Sequence, residues 1–333
     1  MKAALLMLTF ALMTTGLRQR AVSLRSCSSL HHPCSTSEDL RRVQTKLLQK
    51  YAGKHPYTAV SFFSFTSSSI NVDDESLQAV RLQLLSLNVR GTLTVGELER
   101  GYNGAFAVPT QHLAAMHECL SAALGSDVDL NVGATTDYAG SSTSHPFKKL
   151  IVKAKSSVLT DGREGVKVLD LSSCPTDELS PAEWHKEVAE LTTNQGDKGS
   201  PPLLLDCRNQ YESEMGTFAG ATPLATEVFA DSFDRLDALL DGVPRDRRVL
   251  TFCTGGIRCA KVNTYLRQHL GMTNTGRLKK GIIHYDRWLE DEREKEGEEE
   301  KEHKESLFVG HNFLFDRRRL SDQNKSGGEE SSR

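Results

Sequence analysis

The chain has 333 residues, of which 38% are hydrophobic and 26% charged, and its formal net charge is −3. These values are ordinary for a soluble protein with two domains and tails, and they exclude a collagen-like, fully disordered or polytopic membrane chain. The net charge gives no global basic signature for nucleic acid. Seven cysteines in this length are too few for a disulfide scaffold.

The N-terminal segment has the composition of a targeting sequence. Residues 1–37 contain no acidic side chain, and Lys2 precedes an apolar run from Ala3 to Met13. That run is about half as long as a membrane span and is typical of a secretory signal. Arginines and serines follow it, as in an organelle transit peptide. We expect residues 1–37 to be a disordered presequence that sends the protein to a plastid or, alternatively, a mitochondrion, with no membrane association in the mature form.

The first folded region, 55–155, alternates strand and helix patterns. Asp73–Asn88 carries apolar residues at helical spacing and acids in its first turn, and Gln111–Leu124 is a second helix. Strands are predicted at 58–65, 91–95, 103–108 and 148–154, with a weaker one at 128–132. The order β-α-β-β-α-β predicts a ferredoxin-like (acylphosphatase-like) α+β domain.

The second half of the chain has a different pattern. Residues 156–200 are predicted to be a connector with one helix, 180–191, which Ser180 caps and Pro181 opens. Short apolar strands alternate with helices over 201–290, which predicts a parallel sheet flanked by helices. An acidic insertion is expected at 291–306. A C-terminal extension follows at 307–333, with an apolar start that returns to the fold and a disordered end.

The segment that carries chemistry is a loop after the strand that ends at Phe252. Its residues are Cys253, Thr254, Gly255, Gly256, Ile257 and Arg258. A loop between a strand end and a helix N-terminus directs backbone N–H groups at one point, and the helix dipole adds positive potential there. We therefore expect the pKa of the Cys253 thiol to lie below its ordinary value of about 8.5, with Arg258 as a fixed cation nearby.

The length of this loop favours some chemistries over others. Four residues lie between Cys253 and Arg258, fewer than cysteine phosphatases use to surround a phosphate. The shorter loop favours a compact group such as a persulfide sulfur. Cys259 is a candidate for resolving an oxidised Cys253 as a disulfide, although inward packing is equally expected. Without metal-ligand or nucleotide-binding motifs, the sequence predicts neither a metal nor a nucleotide cofactor.

The sequence around this loop resembles one family. Asp206-Cys207-Arg208 after an apolar strand, followed by Glu212, resembles the opening motif of rhodanese domains, and the loop from Cys253 to Arg258 resembles their active loop. The longer strings are DCRNQYE at 206–212, GTFAGA at 216–221, FCTGGIRC at 252–259 and GIIHY at 281–285. Together they resemble the rhodanese-containing tRNA uridine hydroxylases (the TrhO family), and the second domain is thus expected to be rhodanese-like.

The resemblance continues outside the loop and covers roughly 55–288 and 307–317. It includes GYNG at 101–104, where the family has a G-I-N-G turn, HPFKKL at 145–150, LSPAEWH at 179–185 and FLFDR at 313–317. Two departures are visible. Lys280 stands where the family usually has glycine, and the acidic run at 291–306 looks inserted.

The resemblance implies an oxidoreductase that hydroxylates uridine 34, the wobble position of tRNA, to 5-hydroxyuridine with molecular oxygen as co-substrate. It implies that Cys253 is the essential cysteine and that the partner is the anticodon region of tRNA. Asp206 and Arg208 support the site, more often as a structural ion pair than in chemistry. Because most rhodanese loops carry sulfur, a sulfurtransferase that uses thiosulfate or another persulfide donor is the alternative. A non-enzymatic adaptor is disfavoured because the cysteine is present.

Local basic groups would bind RNA phosphates if they shared one face of the molecule. They are Lys148, Lys149, Lys153 and Lys155; Arg277, Lys279 and Lys280; and Arg317, Arg318 and Arg319. Scattered solvated cations are an equally good interpretation.

Overall fold

The structure is a computed structural model. It describes residues 37–50, 56–66, 70, 73–137, 146–162, 178–193, 201–296 and 304–314. The predicted presequence up to residue 36 and the predicted disordered end of the chain lie outside these ranges. Within them, no helix is long and apolar enough to cross a membrane.

A helix that the sequence analysis does not predict precedes the first domain. Helix α1 (Ser37–Lys50) buries Leu40 and Leu47. Leu40, Val43 and Leu47 recur at helical spacing, and Leu40 belongs to the hydrophobic core of the N-terminal domain. The periodic signal was therefore present, but it lies beside an Arg- and Ser-rich stretch whose composition indicates a presequence.

The N-terminal domain is a five-stranded sheet packed against helices. Its elements are β1 (Pro56–Phe65), α2 (Asp74–Ser86), β2 (Arg90–Gly96), β3 (Gly101–Pro109), α3 (Leu113–Leu124), β4 (Asn131–Asp137) and β5 (Leu150–Lys155). The strand order is β4-β1-β3-β2-β5. The first four strands and the two helices α2 and α3 form the predicted ferredoxin-like domain.

Both predicted C-terminal strands of this domain exist. β4 pairs antiparallel with β1 and completes the ferredoxin-like order, whereas β5 adds a fifth strand parallel to β2. The sequence suggested one closing strand, because apolar runs do not show which edge of a sheet they join. The predicted start of α2 is confirmed, since the Ser76 N–H donates to the Asp73 carboxylate at 2.7 Å.

The string GYNG at 101–104 is part of strand β3 and not a turn. The turn precedes it, at residues 97–100. Gly101 has φ +143°, and a Cβ atom there would lie 2.1 Å from the Ser64 carbonyl oxygen. A Cβ at Gly104 would lie 2.2 Å from the Phe62 ring. Glycine is needed at both positions because the neighbouring strand is too close for a side chain.

The second domain contains the predicted parallel sheet. Its strands are β6 (Glu178–Leu179), β7 (Leu203–Asp206), β8 (Gly216–Phe218), β9 (Thr222–Pro223), β10 (Val249–Phe252) and β11 (Thr275–Leu278). All except β8 form one sheet, in the order β6-β11-β10-β7-β9, with parallel pairing throughout.

Helices cover both faces of this sheet. They are α4 (Pro181–Thr193), α5 (Gln210–Ser213), α6 (Ser232–Leu240), α7 (Ile257–Gln268) and α8 (Gly281–Glu296). One hydrophobic cluster joins the sheet to α6 and α7, and a second joins it to α4 and α8. This arrangement explains why the central strands β7 and β10 are largely apolar.

Part of the predicted connector belongs to the second domain. β6 pairs with β11, and the fully buried Trp184 of α4 packs its ring 5.6 Å from that of Phe218 and 5.9 Å from that of Phe252. The predicted cap is confirmed: the Glu183 N–H donates to Ser180 Oγ at 3.3 Å, and the Ser180 N–H donates to the Glu183 carboxylate at 2.8 Å.

The chain returns to this domain after the acidic run. Helix α8 extends to Glu296, so the run begins as helix. A short strand, β12 (Phe308–Gly310), pairs antiparallel with β8. The Phe308 ring lies 5.3 Å from that of Phe218, which confirms the predicted return of the apolar segment.

Candidate functional site

The loop with Cys253 lies between the carboxyl end of β10 and the start of α7. All four residues of β10 are buried, which fixes the strand in the centre of the sheet. Gly256 is the N-cap of α7 and has φ +95°, a conformation that strongly favours glycine. The loop therefore converges on the helix N-terminus as the sequence predicts.

Cys253 is fully buried. The Gly256 N–H donates to its sulfur at 3.2 Å. Burial raises the pKa of the Cys253 thiol well above its ordinary value, and the neighbouring Cys259 raises it further, although Arg258 and the Cys259 amide lower it. The predicted low pKa is therefore wrong for this conformation, because the loss of solvent outweighs the effects of Arg258 and the Cys259 amide.

Arg258 is held in place, as the sequence predicts, but a carboxylate neutralises its charge. Its guanidinium pairs with the buried Glu212, with Nη1–Oε2 at 2.5 Å and Nη2–Oε1 at 2.8 Å. Thr254 Oγ1 also donates to Glu212 at 3.0 Å. Burial alone would raise the pKa of Glu212, but the hydrogen bonds and charge of Arg258 lower it. Arg258 therefore fixes the loop to α5, with its charge largely neutralised beside the sulfur.

Asp206 and Arg208 form the buried ion pair that the sequence favours. Arg208 Nε and Nη2 lie 2.9 and 2.6 Å from the two carboxylate oxygens of Asp206. Thr217 Oγ1 donates to the same carboxylate at 2.8 Å, and Arg208 also donates to the carbonyl oxygen of Gly216. The pair joins β7 to β8, and the hydrogen bonds that it makes go to residues outside the loop.

Three thiols lie together beneath the loop. Cys207, Cys253 and Cys259 are fully buried. All three belong to one hydrophobic cluster. Burial raises the pKa of Cys259 well above its ordinary value. A position in the same cluster as Cys253 fits a resolving thiol and equally an inward-packed one, so the predicted resolving role stays a prediction.

Strand β1 of the N-terminal domain lies over the loop. A Cβ atom at Gly255 would lie 3.6 Å from Ser61 Oγ, and one at Gly256 would lie 3.3 Å from Phe63 Cε1. Ser61 Oγ is buried and has no hydrogen-bond partner in the described part of the chain. Neither Ser61 nor Phe63 is predicted as a site residue from the sequence, because a strand pattern does not show which neighbouring domain a side chain faces.

Ion pairs hold the two domains together on both sides of the loop. Lys280 Nζ lies 2.5 Å from Asp129 Oδ1 and 3.1 Å from the Leu130 carbonyl oxygen. Lys280 has φ +58°, a backbone conformation that glycine adopts most easily. This explains why the family that the sequence resembles usually has glycine at this position. The buried Lys261 of α7 contacts the carboxylates of Glu99 and Asp161.

The predicted basic groups do not form one surface. Arg277 is only 3% exposed and pairs with Glu178 at 3.0 Å, while Lys280 is used between the domains. Lys148 and Lys149 are exposed. The three arginines at 317–319 lie outside the described residues. Within the described ranges, no three His, Cys, Asp or Glu side chains are placed to hold a metal ion.

Family models match both domains of the chain. Residues 57–158 match the UPF0176 acylphosphatase-like domain, and residues 187–288 match the rhodanese-like domain. The fold and the loop therefore define a rhodanese-domain protein with an acylphosphatase-like N-terminal domain.

Similar proteins identify the family. The chain is 31% identical over 268 residues to the tRNA uridine(34) hydroxylase of Legionella pneumophila (strain Corby), covering 79% of this chain and 89% of that protein. It is 34% identical over 250 residues to the protein of the same name in Acinetobacter baumannii (strain AYE), covering 74% and 67%. The chain belongs to the tRNA uridine(34) hydroxylase family.

A plant relative matches over more of the chain. The identity to rhodanese-like domain-containing protein 8, chloroplastic, of Arabidopsis thaliana is 29% over 328 residues, covering 91% of this chain and 67% of that protein.

Proposed function

We propose that the protein is a tRNA-modifying oxidoreductase that hydroxylates uridine 34 to 5-hydroxyuridine, with molecular oxygen as co-substrate and Cys253 as the reacting residue. The observation that carries this proposal is the position of Cys253. It lies in a rhodanese-like loop at a helix N-terminus, in a chain that shares both domains with relatives named tRNA uridine(34) hydroxylase.

Cys253 acts as a nucleophile in this proposal. Its sulfur adds to C6 of uracil, which moves the electrons of the C5–C6 double bond to C5, where a bond to oxygen then forms. Loss of the C5 proton and departure of the thiolate from C6 restore the double bond. The Gly256 N–H, which already contacts the sulfur, stabilises its negative charge at both stages.

The electron balance of the reaction requires a two-electron reductant. Uridine, dioxygen and two thiols give 5-hydroxyuridine, one disulfide and water, so one oxygen atom enters the base and the other is reduced. Cys259 is the second thiol, because it lies in the same buried cluster as Cys253. It attacks the outer oxygen of the hydroperoxide that dioxygen forms at C5 and breaks the O–O bond, which leaves a hydroxyl at C5 and a sulfenic acid on Cys259. After Cys253 has left C6, its thiolate displaces water from this sulfenic acid and forms the disulfide. An external thiol then reduces the Cys253–Cys259 disulfide by exchange and restores the enzyme.

Arg258 and Glu212 position the loop in this mechanism. Their buried ion pair, with Thr254, holds the loop against α5. Because Glu212 neutralises Arg258, the Cys253 sulfur lies near an ion pair with little net charge. Its part in the reaction is to fix the geometry in which the loop amides face the sulfur.

Access to Cys253 requires the domains to separate. The thiol is fully buried, and Ser61 and Phe63 of β1 lie against the loop. A uracil ring reaches the sulfur only after β1 moves away from Gly255 and Gly256. Solvent that enters at that moment also lowers the pKa of the thiol, because the cost of charging it falls.

We propose that the protein works in a plastid. The acid-free segment at 1–37 and the plant relative named chloroplastic support this location. The test is to fuse residues 1–37 to a fluorescent protein in a cell that has both plastids and mitochondria. Plastid fluorescence is expected. Fluorescence in the mitochondria or the cytosol contradicts the location and leaves the enzymatic proposal unchanged.

The central test replaces the reacting sulfur. Cys253→Ser is expected to abolish the gain of one oxygen atom at uridine 34, measured by mass analysis of tRNA nucleosides, while tRNA binding is retained. Cys119→Ser is the matched control, because Cys119 lies on α3 outside the loop, and it is expected to keep full activity. Full modification by the Cys253→Ser protein overturns the assignment. Formation of thiocyanate from thiosulfate and cyanide, without hydroxylation, indicates a sulfurtransferase instead.

A further inference from the structure

A cleft on the N-terminal domain is lined by positive charge. Its volume is about 310 Å³, and its lining includes Arg81 of α2, Arg90 of β2, and Lys148 and Lys149 before β5. These residues are distant in sequence, and the parallel pairing of β5 with β2 brings them together. The lining residues include no acidic side chain.

The four cations are not used to stabilise the fold. No ion pair and no side-chain hydrogen bond of Arg81, Arg90, Lys148 or Lys149 is present among the residues that the structure describes. All except the half-buried Arg90 are exposed. Cations that stabilise a protein usually have a carboxylate or carbonyl partner. Four convergent cations without one raise the local potential and attract an anion of high charge density.

The centre of the cleft is apolar. Leu85 is 47% exposed at its edge, and the buried Val89 and Leu150 form part of its lining. An apolar surface surrounded by cations suits a nucleic acid, because bases or sugars pack on the apolar part while phosphates face the charges. A small inorganic anion would leave the apolar part without a partner.

The cleft is remote from the loop. β2 begins at the cleft with Arg90 and ends at Gly96, which is about 20 Å at ~3.3 Å per residue. Glu99, just beyond that end, contacts Lys261 of α7, the helix that starts at the catalytic loop. A molecule that contacts both the cleft and the loop must therefore be much longer than a single nucleotide.

We infer that this cleft binds the sugar–phosphate backbone of the tRNA substrate at a point distant from the reacting base. The inference rests on the proposed function, because it takes tRNA to be the substrate. The cleft supplies affinity and orientation, while the loop supplies chemistry. Binding at a separate cleft allows the tRNA to be held while the Cys253 loop is still covered, before the domains open and the base enters.

The test reverses charge at the two exposed positions Arg81 and Lys149. The full-length Arg81→Glu/Lys149→Glu protein is titrated with a transcript of a tRNA that has uridine at position 34, at several salt concentrations. We expect affinity to fall by about tenfold or more and the slope of log K against log salt to decrease by about two. The matched control is Arg235→Glu/Lys186→Glu, which makes the same charge change at exposed positions of the second domain.

Activity measurements separate binding from chemistry. The cleft variant is expected to need more tRNA for half-maximal rate and to reach the wild-type rate at saturation. If wild-type protein binds the transcript and the cleft variant binds it equally well, with the same salt slope, the inference is wrong and the proposed function stands. An equal loss in the control also overturns it, since the effect is then one of net charge. If wild-type protein does not bind tRNA, the proposed function itself fails.

Discussion

Lys280 and Asp129 join the two domains directly beside the loop that contains Cys253. Their charged atoms are 2.5 Å apart, and the Asn131 amide also donates to the Lys280 carbonyl oxygen at 2.8 Å. Lys280 immediately precedes Gly281, and the next residue, Ile282, donates its N–H to the Cys253 carbonyl oxygen at 3.0 Å. The ion pair between the domains thus lies next to a backbone hydrogen bond of Cys253.

Weakening this contact should expose the reacting thiol. Lys280→Asn keeps a residue that tolerates the left-handed backbone conformation but cannot reach Asp129. A contact of this kind contributes about 1 kcal/mol, so we expect Cys253 to react with a thiol reagent about fivefold faster. The measurement is the alkylation rate at that cysteine, followed by peptide mass analysis.

Asp129→Asn provides the matched partner variant. Its effect and that of Lys280→Asn should not add in the double variant, because both remove the same interaction. If neither single variant changes the alkylation rate, this ion pair does not limit access to Cys253.

Locking the domains together should block the reaction. A Cβ atom at Gly133 of β4 would lie 3.4 Å from Ile283 Cγ2 of α8, so the side chains of cysteines at these two positions would be in contact. In a single-turnover assay without added thiol, the oxidised Gly133→Cys/Ile283→Cys protein is expected to lose the modification of tRNA uridine that the unlocked proteins still carry out once, and a reductant is expected to restore it. Each single cysteine variant serves as control. Full activity in the oxidised double variant would show that the loop is reached without domain separation.

Removal of the Glu212 charge should destabilise the second domain strongly. Glu212→Gln leaves Arg258 as a buried cation without its counter-charge, which typically costs about 3–5 kcal/mol. The free energy of unfolding in urea measures this loss. Glu214→Gln, two residues away and exposed, is the control and should change stability by less than ~0.5 kcal/mol. Equal unfolding free energies for Glu212→Gln and Glu214→Gln would contradict a stabilising role of the Arg258–Glu212 ion pair.

His284 should make the protein sensitive to mild acid. Burial, and then the charge of Lys280, lower its pKa from 6.5 to about 4. A lowered pKa contributes stability that is present above pH 6.5 and is lost as the pH falls towards about 4. The loss amounts to at most about 3 kcal/mol.

The measurement is the unfolding free energy across that pH range. His284→Asn is expected to flatten the dependence, whereas the exposed His269→Gln control should not. An unchanged slope in His284→Asn would mean that other groups cause the acid sensitivity.

Much of the fold is predictable from local patterns. Strand β10, the Asp73 cap of α2 and the Ser180–Glu183 capping box of α4 each follow from neighbours in the chain. The position of the loop after β10 follows from the same pattern. These features depend on side chains a few residues apart in the chain, so they can be predicted from the sequence.

The electrostatics of the loop depend on distant residues and were therefore predicted wrongly. Glu212 lies 46 positions before Arg258, and Ser61 reaches the loop from the other domain. Glu212 neutralises the charge of Arg258. Ser61 helps to exclude the solvent that would stabilise a Cys253 thiolate. A sequence pattern gives the residue types at a loop, whereas the pKa of Cys253 depends on how completely another domain covers it.

The cover that β1 places over Cys253 has a protective consequence. Peroxides convert exposed thiolates to sulfenic acids and then irreversibly to sulfinic and sulfonic acids. A neutral thiol that is sealed from solvent reacts slowly with these oxidants. Inactivation should then accompany only the brief openings that admit substrate, so the working lifetime of each molecule is set by its number of turnovers and not by the time that has passed.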